Sequence, residues 1–325
     1  MIDPSALPLA AATEIQYAVD AIGYGTVYAL MALSLALLFG VMGLMNFAYG
    51  ELIMVAGYTM YLSRDWSWPV MVIVTIVVVT VFALAMERLA FRPLRRASPV
   101  TLLVSSFAVS IMLQQIAYMA FPGPPKGIKP FSFLRDNVDI GGVRISHLTI
   151  LTAAVTIILL VATTIVLKRT MLGIQLRAST EDFHMAQLVG VRANGVIVAA
   201  FAITGLLAGA AGLLYNLRFG SVTALRGQDP LLIAFVGGVI GGLGSLGGAA
   251  LGGFMLGALT TALTAALPNN VRSYTTLFAF LAVIAVLVFV PNGLITLRVG
   301  IVRSLWRSRR RPPNSELAAP AAGGD

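Results

Sequence analysis

Three polar side chains stand in a stretch of almost pure hydrocarbon. They are Asn46, Tyr49 and Glu51, within Gly40-Val-Met-Gly-Leu-Met-Asn-Phe-Ala-Tyr-Gly-Glu51. A carboxylate at bilayer depth costs at least about 2.5 kcal/mol, so its default reading is functional. Glu51 has two readings. It lines or gates a path, or it accepts hydrogen bonds from backbone amides freed by a broken helix. In the first turn of a half-helix it is also favoured by the helix dipole. Asn46 is neutral and both donates and accepts, which suits the wall of a pathway. Gly40, Gly43 and Gly50 around these residues predict broken backbone. In a membrane such backbone survives only where protein buries it or where it lines a cavity.

Other candidates are few. Gln115 and Tyr118 are three residues apart, so they share a helix face; Gln114 adjoins them. They either line a polar channel or bond between helices. The two histidines, His147 and His184, lie far apart in sequence, and neither is assigned a metal. With no cysteine, thiol chemistry and thiolate metal ligation are excluded. No paired carboxylates, metal cluster or Ser/His dyad falls within the apolar segments, so no enzymatic activity and no cofactor are expected. There is no Gly-x4-Gly-Lys-Ser/Thr loop to cradle phosphates.

The elements that must position these residues are membrane helices. The 325 residues are 58% hydrophobic and 11% charged, against about 25% charged in soluble domains. Apolar runs are expected to form helices over about 16–39, 52–62, 70–86, 100–120, 148–167, 195–217, 231–267 and 275–290. The fold class is therefore all-α and polytopic, with about 8–9 transmembrane or half-membrane helices. The segment at 52–62 is too short to cross alone. The region 231–267 is interrupted by ten glycines from Gly237 to Gly257. Residues 1–15 read as an N-terminal segment, 16–297 as the permeation domain and 298–325 as a basic, partly disordered tail.

Three basic regions, 87–96, 168–194 and 298–311, hold fourteen of the 22 Lys and Arg. Even numbers of crossings separate them, so all three fit on the cytoplasmic side. The net charge of +9 thus reflects topology and lipid contact, not nucleic acid. This places 121–147 outside and the C-terminus inside. The N-terminus is outside if 16–39 and 52–62 both cross, inside if the second is re-entrant; outside is the adopted reading.

A weak internal repeat is visible. Gly40-Val-Met-Gly43 followed by Gly50 matches Gly238-Val-Ile-Gly241 followed by Gly248 in spacing. Paired glycine-interrupted segments in two halves point to an inverted-repeat transporter with its path at the interface. Gly242 and Gly244 extend the second segment. Close helix packing is the plainer role for these glycines.

Asn46-Phe-Ala-Tyr-Gly-Glu51, with Tyr28-Ala-Leu-Met-Ala-Leu before it and Gly57-Tyr58 after it, resembles the Asn-Phe-Ala-His-Gly-Glu/Asp signature of branched-chain amino-acid ABC importer permeases of the LivH type. Phe235 to Gly253 resembles that family's second glycine-rich signature, and order matches from about Gln16 to Arg298. Tyr49 departs from the usual His. The resemblance implies a subunit with no chemistry of its own in a bacterial inner membrane. Its partners would be a LivM-like sister permease, two cytoplasmic ATPases and a periplasmic binding protein. The cargo would be branched-chain or related amino acids, or urea and short amides. An amino-acid carboxylate is not expected to bind Glu51, because like charges repel. The alternative is an ion-coupled transporter or channel that uses Glu51.

Such ATPases need a handle. Ser179-Thr-Glu-Asp182 has capping-box form and predicts a short helix to Val189, stopped at Gly190. Ala186-x3-Gly190 resembles the coupling motif of ABC permeases, although His184 and Met185 replace its first two residues. Arg177, Phe183, Ala186 and Gly190 are the coupling candidates, with Phe183 and Ala186 on one docking face.

Overall fold

The computed structural model describes residues 6–43, 46–95, 97–128, 131, 137–140, 143–181, 183–188, 190–191, 193–242 and 245–289. Six helices among them are long and apolar enough to cross a membrane. The tail at 298–325 and residues 1–5 lie outside the described residues.

Helix α1 is Ala6–Met42; it begins at Ala6, not near Gln16 where the apolar run starts. Helix α2, Tyr49–Leu62, has 14 residues. That is about 21 Å at 1.5 Å per residue, short of a roughly 30 Å hydrocarbon core. Helix α3, Trp68–Met86, starts with Pro in its first turn and runs into a π-turn at Glu87–Phe91. Helix α4 is Pro99–Ala120; Ser98 caps it, its hydroxyl accepting from the Thr101 amide at 3.3 Å. Helix α5 is His147–Arg169, capped by Ser146. Helices α6, Met171–Glu181, and α7, Phe183–Leu188, precede α8, Ala193–Phe219. The expected single segment at 231–267 is two helices, α9 at Gln228–Gly241 and α10 at Leu246–Ala266. Helix α11 is Thr275–Phe289.

The long connection at 121–147 carries short strands. Strand β1, Lys126–Gly127, pairs antiparallel with β4, Ser221–Val222. Strands β2, Asn137–Ile140, and β3, Val143–Ser146, form an antiparallel hairpin. Alternation over four residues is too brief to distinguish from loop in the sequence.

The membrane helices sort into centre and periphery. The apolar window of α1 is 83% buried and that of α5 22% buried. Outward side chains of α5 include Ile150, Ile157, Ile158, Val161 and Ile165, the composition of a lipid-facing surface. Between the central helices small residues carry the contact, because lipid supplies no hydrophobic drive for helices to associate. Gly205 of α8 packs on Thr80 and Ala83 of α3, and Gly209 on Ile76 and Val79. Gly253 and Gly257 of α10 pack on Tyr28 and Gly25 of α1.

These contacts give directions. Arg218, near the end of α8, lies 3.5 Å from the ring centroid of Tyr24, midway along α1. Farther along, Ser34 meets Thr204. Helices α1 and α8 therefore run antiparallel. So do α1 and α10, and α3 and α8, from the glycine contacts above. Each half is then a long helix, a 14-residue helix and a long helix: α1-α2-α3 and α8-α9-α10. The pair α1/α10 in one corresponds to α8/α3 in the other, with inverted direction.

This repeat differs in register from the one drawn from glycine spacing. Gly50 is the second residue of α2, whereas Gly248 is in α10, so the two are not structural equivalents. Nor are all those glycines breaks. Gly40 lies inside α1, Gly50 inside α2, Gly238 inside α9 and Gly248 inside α10; Gly241 ends α9. The turns fall at Gly43, with φ 68°, and Gly242, with φ 89°. Both dihedrals lie in the region that glycine alone enters without penalty. Gly244 lies outside the described residues.

Candidate functional site

The segment between α1 and α2 is where the polar candidates gather. Among the described residues, the amides of Phe47, Ala48, Tyr49 and Glu51 are satisfied. The Phe47 amide donates to Ser106 Oγ of α4 at 3.2 Å, and the Ala48 amide to Asn46 Oδ1 at 3.0 Å. The Tyr49 amide donates to the Asn46 carbonyl at 3.1 Å, and the Glu51 amide to that of Ala48 at 3.2 Å. Phe47 also stacks on Phe107 of α4, with ring centroids 3.9 Å apart.

Glu51 is therefore not needed by these amides. It is buried, and its Oε1 accepts from Ser110 Oγ and from Gln114 Nε2, each at 2.7 Å. Ser106, Ser110 and Gln114 stand four residues apart on α4, so they form one polar stripe facing the break. The stripe fixes α4, otherwise largely exposed, to the start of α2. Tyr49 is buried as well, its hydroxyl donating to the Met31 carbonyl at 3.3 Å.

The start of α2 abuts the start of α9. A Cβ at Gly50 would strike the Gly227 carbonyl, and a Cβ at Gly227 would strike that of Gly50. From this point the two half-helices diverge. Toward its end α2 meets the end of α8: Asn216 Nδ2 donates to the Ile53 carbonyl at 3.0 Å, and Gly57 packs on Val222. The end of α9 meets the start of α10, Gly241 against Gly248. Since α10 runs antiparallel to α1, that end lies on the opposite side of the protein. A small pocket opens beside the junction, lined by Leu35, Asn46, Phe47, Leu231, Leu232 and Phe235.

The remaining candidates are placed elsewhere. Gln115 and Tyr118 are exposed on the outer side of α4; the buried amide is Gln114. On the other side, Ser179 and Glu181 lie within α6, and the Ser179 hydroxyl caps no helix among the described residues. The short helix is α7. Its end matches the expected Gly190 stop: Gly190 has φ 93°, and the Val191 amide donates to the Ala186 carbonyl at 3.0 Å. Ala186 is only 4% exposed and faces the protein, whereas Met185 and Leu188 are 60% and 70% exposed. Arg177 is exposed on α6. The side chain of Phe183 lies outside the described residues.

The long helices, the paired half-helices and the sequence together invite comparison with known transporters. A family model described as the permease component of branched-chain amino acid transport systems matches residues 17–287. The chain belongs to this permease family. It is 32% identical over 295 residues to the high-affinity branched-chain amino acid permease protein BraD of Pseudomonas aeruginosa, covering 86% of this chain and 95% of that one. To LivH of Escherichia coli it is 28% identical over 297 residues, covering 86% and 95%. To a probable LivH of Methanocaldococcus jannaschii it is 28% identical over 284 residues, covering 84% and 90%. No solved structure matches. The chain is a multi-pass membrane permease subunit of an ABC importer.

Several residues of this permease escaped sequence reading. Ser110 is one hydroxyl among many, and only its register with Gln114 marks it. Asn216 sits in an apolar run as Glu51 does, and that polarity was the available signal. Gly227 lay in a connection that reads as polar, so nothing in the sequence pairs it with Gly50.

Proposed function

We propose that this chain carries branched-chain or related amino acids, or urea and short amides, across a bacterial inner membrane. It pairs with a LivM-like sister permease. Two cytoplasmic ATPases drive the cycle, and a periplasmic binding protein delivers cargo. The match along 17–287 supports the class of cargo and of partners. The single structural observation that supports transport is the inverted pair of half-helices, α2 and α9, meeting at Gly50 and Gly227. Discontinuous helices at a repeat interface are where transporters place their path.

Coupling runs through α7, which lies on the side of the basic regions at 87–96 and 168–194. The C-terminus is on that cytoplasmic side. The exposed face built on Met185 and Leu188 docks in the ATPase, and Ala186 packs inward. The chain itself catalyses nothing and needs no cofactor; ATP is hydrolysed by the separate subunits.

Reconstitution tests this. The four kinds of subunit in proteoliposomes should accumulate labelled leucine or urea only with internal ATP and the binding protein. Uptake that persists without ATP and collapses with an ionophore would establish ion coupling instead, with Glu51 as the group to examine.

A further inference from the structure

We infer that the exposed face of α9 carrying Gln228, Asp229 and Leu232 is the surface on which this chain meets its sister permease. This rests on the reading above that the importer holds two related permease chains. Asp229 lies deep in the bilayer. Its charge is felt by Tyr28, the central residue of the 27-residue apolar span Ile15–Val41 of α1. Helix lengths agree. From the junction at Gly50 and Gly227, α2 and α9 each run 14 residues, about 21 Å, toward opposite sides.

Gln228 and Asp229 are both exposed at that depth. Among the described residues, neither side chain makes a hydrogen bond or an ion pair. The cations of this region are engaged elsewhere: Arg226 bonds Ser221, and Arg218 stacks on Tyr24. Lipid cannot answer a carboxylate or an amide. The outer face of α5 shows what lipid does accept. It is hydrocarbon, and its exposed Thr164 bonds the Leu160 carbonyl of its own helix. Gln115 and Tyr118, exposed on α4, are a different case. They stand within about 8 Å of the end of α4 at Ala120, where interfacial water reaches side chains.

Leu232, 45% exposed, continues the α9 stripe one turn on, and half-buried Phe235 and Val236 extend it at helical spacing. A polar end followed by hydrocarbon fits a second membrane-embedded chain. That chain offers a donor or cation to Asp229 and apolar side chains to the rest, and bonds of this kind hold helices together in lipid.

A benzophenone side chain placed at Leu232, in the complete importer in proteoliposomes, should crosslink to the sister permease on illumination. The same group at Ile157, exposed on α5, should capture no protein. Crosslinks from Leu232 to lipid alone, or to a second copy of this chain, overturn the assignment, as does equal capture of the sister from Ile157. Asp229→Leu should reduce copurification of the sister by about fivefold, and Asp229→Asn, which keeps an acceptor, should lose less. An Asp229→Leu chain that melts higher and still binds its sister is facing lipid, and overturns the role of Asp229. These failures differ from failure of the pairing itself, in which the unmodified chain would copurify with no sister permease.

Discussion

Ser34 and Thr204 each donate a side-chain hydroxyl to the other's backbone carbonyl, at 3.2 and 3.3 Å. One lies on α1 and the other on α8, and both are buried. The reciprocity marks the crossing of two inverted halves, as Gly50 and Gly227 do a second time. The path proposed for this permease lies where the two halves meet.

The glycine contact should be the least forgiving point of the chain. Gly50→Ala or Gly227→Ala drives a methyl into backbone that has no rotamer to move. Overpacking of this kind costs about 1–3 kcal/mol, and backbone against backbone belongs at the upper end. Thermal unfolding in detergent should show a lowered Tm and reduced yield. Gly127→Ala, with nothing within 4 Å of its added carbon, should be neutral.

Glu51 should matter more as an acceptor than as a charge. Glu51→Gln keeps the oxygen that Ser110 and Gln114 bond, so stability and uptake should stay close to wild type. Glu51→Leu removes the acceptor that both donors share, leaving Gln114 only its bond to Ser110 Oγ, and should cost about 1–2 kcal/mol. A Gln variant that assembles but does not transport would return the charge to the mechanism.

Arg95 bonds Glu87 and Asn194, tying the π-turn after α3 to the start of α8. The Glu87 side chain is 3% exposed and that of Arg95 17%. Arg95→Ala leaves a buried carboxylate without its cation, at a cost of about 3 kcal/mol. Adding Glu87→Gln should recover part of the loss. Detergent melting curves of the single and double variants measure it.

The exposed and buried sides of α7 should separate coupling from folding. Ala186→Asp puts a charge at a buried position and should lower stability. Met185→Glu and Leu188→Glu change exposed positions. They should leave the isolated chain intact while reducing ATPase copurification and ATP-driven uptake. Undiminished copurification would move the docking face elsewhere.

Much of the framework was legible without coordinates. The long helices follow from apolar runs whose backbone has nowhere to hydrogen-bond except within itself. The end of α7 at Gly190 was readable because it depends on neighbours a turn away. Residues of α4 show the opposite case. Gln114 and Gln115 are chemically identical and adjacent, yet one holds Glu51 and the other is exposed. With a nearly uniform apolar helix, no amphipathic signal says which side faces in. Ser179, Thr180 and Glu181 misled for a related reason: they lie in the last turn of α6, where a capping pattern meets no free amides.

Composition and local pattern by themselves determined that this chain is a helical membrane protein, broken somewhere within Gly40–Glu51 and within Gly238–Gly248, with polar groups concentrated at the first break. Those facts depend on solvation and on spans of a few residues. The tertiary structure decided which distant residues share a point in space. It set Gly227 against Gly50, Ser110 and Gln114 on Glu51, and α8-α9-α10 as the inverse of α1-α2-α3. Glycine spacing suggested a different register, because lipid-embedded packing is selected by close approach and pairwise hydrogen bonds across helices, which leave no period along the chain.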